Sequence, residues 1–206
     1  MEVYTIGYSA FSIEKFISVL QSKNIKCLID ARSTPYSQYF QDYNKEQLEK
    51  KLKINQILYR NYSKEFGARQ NDMSFYDKDG ILDFGKFILS GQFQSGVEKV
   101  KNGIKIGYSF AIMCAEKDPI DCHRAIMVGR GFKEAGFSVK HIVSEDKEET
   151  QEEIESRLLD MYYKDRGQLT LFSDEAKSDE EMIADCYLKR NKEIGYHIDD
   201  DYNEED

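Results

Sequence analysis

No stretch of this chain approaches the roughly 18 consecutive apolar residues that a membrane-spanning helix needs. The opening Met1-Glu2-Val3-Tyr4-Thr5-Ile6 lacks both a basic leader and a long apolar segment, so no secretory signal is expected. Cysteine is sparse, four in 206 residues. That is too few for a disulfide scaffold and fits a reducing compartment. Internal repeats and low-complexity linkers are missing as well. Together these absences lead us to expect a cytoplasmic protein with no membrane partner.

At 206 residues the chain is long enough for one domain with a substantial core. Its net charge of −9 is unevenly spread: residues 1–144 carry 21 Lys/Arg against 16 Asp/Glu, and residues 145–206 carry 8 against 22. The expected organisation is an α/β domain over 1–165 and an acidic C-terminal tail over 166–206. The basic excess of the first part admits an anionic ligand or nucleic acid as partner.

Apolar runs at Val3–Gly7, Lys26–Asp30, Gln56–Arg60, Tyr108–Cys114 and Ser138–Val143 read as strands. Between them, apolar positions recur at helical spacing, as in Ile13, Phe16, Ile17 and Leu20 after the capping Ser12. Asn44 and Asp83 can cap two further helices, the second breaking near Gly91. Alternation of this kind predicts an open, mainly parallel sheet of about five strands with helices on both faces. Residues 147–163 read as a charged helix burying Ile154, Leu158, Met161 and Tyr162. Residues 180–192 can form another helix, and 199–206 read as disordered. The polar stretch 61–82, with Arg69, Tyr76 and Asp77, is long for a connection and reads as a site loop.

The densest chemistry lies between the fourth strand and the next helix, in Met113-Cys114-Ala115-Glu116-Lys117-Asp118-Pro119-Ile120-Asp121-Cys122-His123-Arg124. Ligands of α/β proteins collect at the C-terminal ends of strands, and a helix N-terminus favours anions, a thiolate included. Cys122 is the candidate nucleophile, with Asp121 as N-cap, His123 as acid–base group and Arg124 as anion contact; a packing role for Cys122 is the bland alternative. Asp30 can orient Arg32 or Arg124, or accept a ligand hydroxyl. Tyr8, Ser9, Arg32, Ser33, Arg69, Cys114 and Glu116 are candidate ligand contacts, because most follow strand ends that share one sheet edge. No Cys-x2-Cys pair occurs, and adjacent Cys and His side chains rarely converge, so neither a metal nor a cofactor is expected. A rhodanese-like or Cys-based phosphatase cradle needs Cys-x5-Arg, which the spacings of Cys114, Cys122 and Arg124 do not provide.

Met113-Cys114-Ala115-Glu116-Lys117-Asp118-Pro119 followed by Cys122-His123-Arg124 resembles the hallmark of the bacterial Domain of Unknown Function 488 family. Thr5-Ile6-Gly7-Tyr8-Ser9, Asp30-Ala31-Arg32-Ser33-Thr34-Pro35 and Gln168-Leu169-Thr170-Leu171-Phe172 resemble three further family stretches. Tyr8 stands where the family usually has His, which removes one imidazole from the site. The resemblance implies an α/β fold and an enzymatic role without an assigned reaction.

Gln168, Leu169, Leu171 and Phe172 also resemble the pentapeptide by which bacterial replication and repair proteins dock on the sliding clamp; self-packing is the alternative. Two functions follow as expectations. One is a cysteine-dependent transferase or hydrolase acting, through the Cys-His-Arg loop, on a phosphate-bearing small molecule, nucleotide or nucleic-acid end. The other is a non-catalytic nucleic-acid-associated binding module recruited to the clamp by residues 168–172.

Overall fold

A computed structural model describes residues 1–164 and 177–198. Six strands form one sheet in the order β3-β2-β4-β1-β5-β6, with every pairing parallel except β5 with β6. The strands are β1 (Glu2–Gly7), β2 (Cys27–Asp30), β3 (Leu58–Asn61), β4 (Phe110–Cys114), β5 (Ser138–Ile142) and β6 (Glu148–Thr150). The first five correspond to the expected runs. The sixth is a short antiparallel edge strand of sequence Glu-Glu-Thr, which carries no apolar signal of its own and fell inside the expected charged helix.

Strand alternation divides the core into two layers. Cys27, Ile29, Phe110, Ile112 and Val139 face one layer; Leu28, Ala111, Met113 and Ile142 face the other. The second layer is covered by α1 (Ile13–Ser22), capped by Ser12 as expected, and α2 (Lys45–Ile54). The first is covered by α3 (Ser63–Phe66), α4 (Phe84–Ile88), α5 (Gly91–Lys105), α6 (Arg130–Glu134) and α7 (Gln151–Tyr162), together with α8 (Asp179–Ile194). Asn44 precedes α2, but its side chain makes no cap; its Oδ1 accepts from Ser37 N at 2.6 Å instead. Asp83 and Ser90 cap α4 and α5 on either side of the expected break. In α7 Leu159 takes the buried position expected for Met161, which is 41% exposed.

The C-terminal segment is not simply a tail. Met182, Cys186, Tyr187 and Asn191 of α8 are buried against the domain. Asn191 Nδ2 donates to Leu82 O, its Oδ1 accepts from Phe84 N, and Ile81 pairs with His197. A boundary at 165 therefore leaves an integral helix outside the domain it completes. No helix among the described residues is long and apolar enough to cross a membrane.

One buried polar chain crosses the first layer. Thr5 Oγ1 lies 2.7 Å from His141 Nδ1, His141 Nε2 lies 2.8 Å from Gln151 Oε1, and Gln151 Nε2 donates to Ala125 O and Tyr187 Oη. Burial lowers the His141 pKa to about 4, and the cations Arg124 and Arg157 add to that. The unfolded chain takes up this proton below its ordinary value, whereas the folded chain does so only near the lowered one. Stability should therefore be undiminished above about pH 6.5 and fall by about 3 kcal/mol as the pH drops toward 4. Urea unfolding of the protein and of His141→Gln at pH 7.5 and pH 5 checks this: the variant should lose much less stability on acidification, and equal losses would exclude His141 as the source.

Candidate functional site

The sheet order decides which loops meet. β4 inserts between β2 and β1, with Gly7 in register with Cys114 and Asp30 with Met113. The segments after β1, β2 and β4 are therefore neighbours at one edge, as expected for C-terminal strand ends of a parallel sheet. They border a cavity of about 410 Å³ whose lining includes Tyr8, Arg32, Ser33, Arg69, Cys114, Glu116, Cys122, His123 and Tyr196. Ser9, Asp30 and Arg124 stand behind this wall rather than on it. A larger groove of about 960 Å³ opens at the opposite end of the sheet, along Asn24, Lys26, Lys53 and Tyr108, away from all the candidate residues.

Asp30 is fully buried and serves Arg32. Its Oδ1 accepts from Arg32 N at 3.0 Å and Nε at 2.9 Å, and its Oδ2 accepts from Arg32 Nη2 and Tyr59 Oη, each at 2.7 Å. A two-pronged pair of this kind fixes the plane of the guanidinium. Arg32 Nη2 also donates to Tyr43 O, and the group lies 5.1 Å from the centre of the Tyr8 ring. Tyr8 in turn stacks on Tyr43 at 4.5 Å, so it acts here as an aromatic wall. Arg32 Nη1 is buried and has no hydrogen-bond partner among the described residues.

Arg124 is fully buried and turned into the loop. It donates through Nη1 to Glu116 O and through Nη2 to Lys117 O at 2.9 Å, which makes it the anchor of the 114–118 turn rather than a ligand contact. Ser9 acts through its backbone, donating to Ala115 O at 3.0 Å. Gly7 is required beneath: a Cβ there would sit 1.8 Å from Glu116 O and 2.3 Å from Arg124 Nη1. Asp121 is not the N-cap. It pairs with Arg190 of α8, whose Nε donates to Ile120 O at 3.0 Å, while Asp118 caps the turn before Cys122. The following helix opens with a π segment, Arg124–Gly129, that runs into α6; such widened turns recur beside functional sites.

Four side chains converge within this frame. Glu116 Oε2 accepts from Cys122 Sγ at 2.7 Å and from Cys114 Sγ at 2.9 Å; His123 Nδ1 lies 3.4 Å from Cys114 Sγ and 3.8 Å from Cys122 Sγ. All four donor atoms lie within 4.8 Å of one another. The expected obstacle, adjacency of Cys122 and His123, is overcome by the backbone. Cys122 is extended (φ −136°, ψ 142°) and His123 is helical (φ −56°, ψ −20°), and this change of direction brings neighbouring side chains to one side. Sulfur, nitrogen and carboxylate oxygen are the donors that transition metals take, so this set can hold such an ion.

The electrostatics differ from those of a primed nucleophile. Burial pushes the Cys122 thiol well above its usual range, with Cys114 and Glu116 adding to it, and burial raises Cys114 too. Burial opposes a charge on His123, but Cys122, Glu116 and the Ala31 backbone outweigh it and raise its pKa. Burial likewise opposes the Glu116 carboxylate, which His123 and the two thiols nevertheless hold below its ordinary value. The lowered thiol pKa expected from the helix N-terminus is thus overridden by desolvation.

From the 61–82 stretch Ala68 lines the cavity, and so, of the candidate residues there, does Arg69. Its N donates to Ser33 Oγ at 2.9 Å and its guanidinium lies 4.5 Å from the centre of the Tyr196 ring. Tyr76 bonds both backbone groups of Gln70, and Asp77 accepts from Asp79 N and Ile81 N, so both shape the loop. The residues that sequence reasoning missed, Arg190 and Tyr196, come from the C-terminal segment. Ser178 with Glu181, a capping-box signature, marks the start of the helix expected over 180–192, which carries Arg190 and leads to Tyr196. Gln168, Leu169, Leu171 and Phe172 lie outside the described residues.

All four cysteines are free and buried. In the reduced native protein a thiol reagent at neutral pH should therefore react far more slowly than with a free thiol. Four equivalents should be consumed at once after denaturation. Rapid native labelling at Cys122 would instead show an open, ionised nucleophile.

A family model described as Domain of unknown function DUF488 matches residues 12–130. No curated protein and no solved structure matches the chain.

Proposed function

The chain belongs to the DUF488 domain family, and we propose that its cavity is an active site for a phosphate-bearing ligand: a small molecule, a nucleotide or a nucleic-acid end. The observation that carries this is the guanidinium of Arg32. It is 94% buried, being 6% exposed, it is held in place by Asp30, and it borders the cavity with Nη1 lacking a partner among the described residues. A buried donor without an acceptor costs free energy, and an anionic oxygen satisfies it with a charge-assisted bond. Arg69 lines the same cavity on the side of Ser33 and Tyr196, so two forked cations flank one volume. The basic excess of residues 1–144 draws anions toward this part of the chain.

Seated between Arg32 and Arg69, a phosphate group would present its ester side to Glu116, Cys122 and His123. Tyr8 offers an aromatic face beside Arg32 for the rest of the ligand. In this reading Arg124 positions the loop and takes no part in binding, and Asp30 is a positioning residue for Arg32. Cys122 and His123 remain the groups closest to the reacting end.

Calorimetric titration with inorganic phosphate, pyrophosphate and a nucleoside monophosphate tests the proposal. Arg69→Gln should weaken binding about tenfold or more, because a bond to a charged group contributes roughly 1.5–3 kcal/mol, and should leave the melting temperature nearly unchanged. Arg32→Lys should also weaken binding, since an ammonium keeps the charge but loses the fork. Equal affinity in the protein and Arg69→Gln, or no binding of any of the three, would refute the reading. For turnover, Cys122→Ser should abolish reaction and retain binding. Binding without turnover in the unaltered protein would leave a binding module.

A further inference from the structure

We propose that Cys114, Glu116, Cys122 and His123 form a binding site for one thiolate-preferring divalent transition-metal ion, zinc or an ion of similar size and softness. The site goes beyond the phosphate-binding reading: Glu116, Cys122 and His123 belong to both, but metal uptake itself requires neither Arg32 nor Arg69.

The first support is geometric. Zinc bonds of 2.0–2.3 Å at tetrahedral angles place neighbouring donor atoms about 3.5 Å apart. Around His123 Nδ1 the two sulfurs lie at 3.4 and 3.8 Å. Glu116 Oε2 sits closer, 2.7 and 2.9 Å from the sulfurs, because it now accepts two S–H groups. Replacing those two protons by a central cation needs an outward shift of about 0.7 Å from a side chain on an exposed residue. The exchange balances without electron transfer: the ion displaces one proton from each thiol, both protons pass to solvent, and two metal–sulfur bonds form.

Charge supplies the second support. Two thiolates and a carboxylate around a dication leave one net negative charge. Arg124 is fully buried beside them, bonded through its guanidinium to backbone carbonyls, with its Nε lacking a partner among the described residues. A buried cation calls for a nearby anion, and the metal-thiolate set provides one. Arg124 already acts on Cys114 in the direction of the thiolate.

The surroundings of the donors are the third support. Arg124 N donates to Cys122 Sγ at 3.4 Å, the Ala31 backbone interacts with the His123 ring, and Gly7, Ser9 and Arg124 fix the turn that carries Glu116. Outer contacts of this type orient ligands and tune the ion. All four donors also line the cavity, so a bound ion would sit at its floor.

The experiment uses the full chain, reduced and stripped with a chelator, titrated with Zn²⁺ alone and with Co²⁺ alone. One ion per chain should bind. The cobalt form should show thiolate-to-metal charge transfer in the near ultraviolet and intense visible bands of a tetrahedral site. X-ray absorption at the zinc edge, which needs no variant, should count two sulfurs. Cys114→Ser and Cys122→Ser should each weaken binding at least tenfold and diminish the charge-transfer band, whereas Cys186→Ala should not. Substoichiometric uptake, a zinc shell without sulfur, or cobalt spectra unaltered by both serine variants would overturn the proposal. So would a protein that binds neither ion but closes a Cys114–Cys122 disulfide under mild oxidation. Arg69→Gln should bind zinc normally, so a failed phosphate titration and a failed metal titration are separate results.

Discussion

The buried guanidinium of Arg124 ties the turn after β4 to the helix that follows it, and the rest of the site is arranged around that tie. By donating to Glu116 O and Lys117 O it folds the turn back over the strand end, so that the Glu116 side chain meets both thiols. The tie is possible only because Gly7, opposite Cys114 in the sheet, presents no Cβ. A side chain at either position that did not fit would displace the loop and, with it, half of the donor cluster.

Two electrostatic regimes share the cavity wall. Around Arg32 the charge is matched on one side by Asp30, while the residue lines the cavity and its buried Nη1 has no hydrogen-bond partner among the described residues. Around Cys114 and Cys122 desolvation dominates over the helix N-terminus, and the thiols stay protonated unless a cation replaces their protons. The proposed anion contacts, Arg32 and Arg69, and the proposed metal donors are therefore different residues, although Glu116, Cys122 and His123 also face the reacting end of the proposed ligand. The two sets lie on neighbouring parts of the same wall, one of guanidinium and the other of sulfur, nitrogen and carboxylate.

The C-terminal helix completes both regimes from outside. Arg190 holds Asp121 and Ile120 just before Cys122, and Tyr196 lies against Arg69. Its apolar side covers the core through Met182, Cys186 and Tyr187. An excess of acidic residues across 145–206 hid the packing of this helix on the domain, because its strongly charged exposed side outweighs its few buried positions in any count of composition. Burial follows the pattern of a helix face, not the mean charge of a segment.

Local pattern alone determined most of the architecture. Alternating apolar runs placed β1, β2, β4 and β5 to within a few residues, Ser12 and Asp83 marked helix starts, and the parallel sheet followed from the alternation of elements. The concentration of chemistry between Cys114 and Arg124 was equally legible, because it is written in contiguous residues. The tertiary structure alone decided what those residues do. Insertion of β4 between β1 and β2 is a pairing between distant segments, and no local propensity encodes it. It sets Gly7 beside Cys114 and turns Arg124 inward, onto the carbonyls of the 114–118 turn. The change from extended to helical backbone between Cys122 and His123 makes adjacent side chains converge where spacing rules expect them to part. Burial, a property of the packed whole, raises the thiols that the helix terminus was expected to activate.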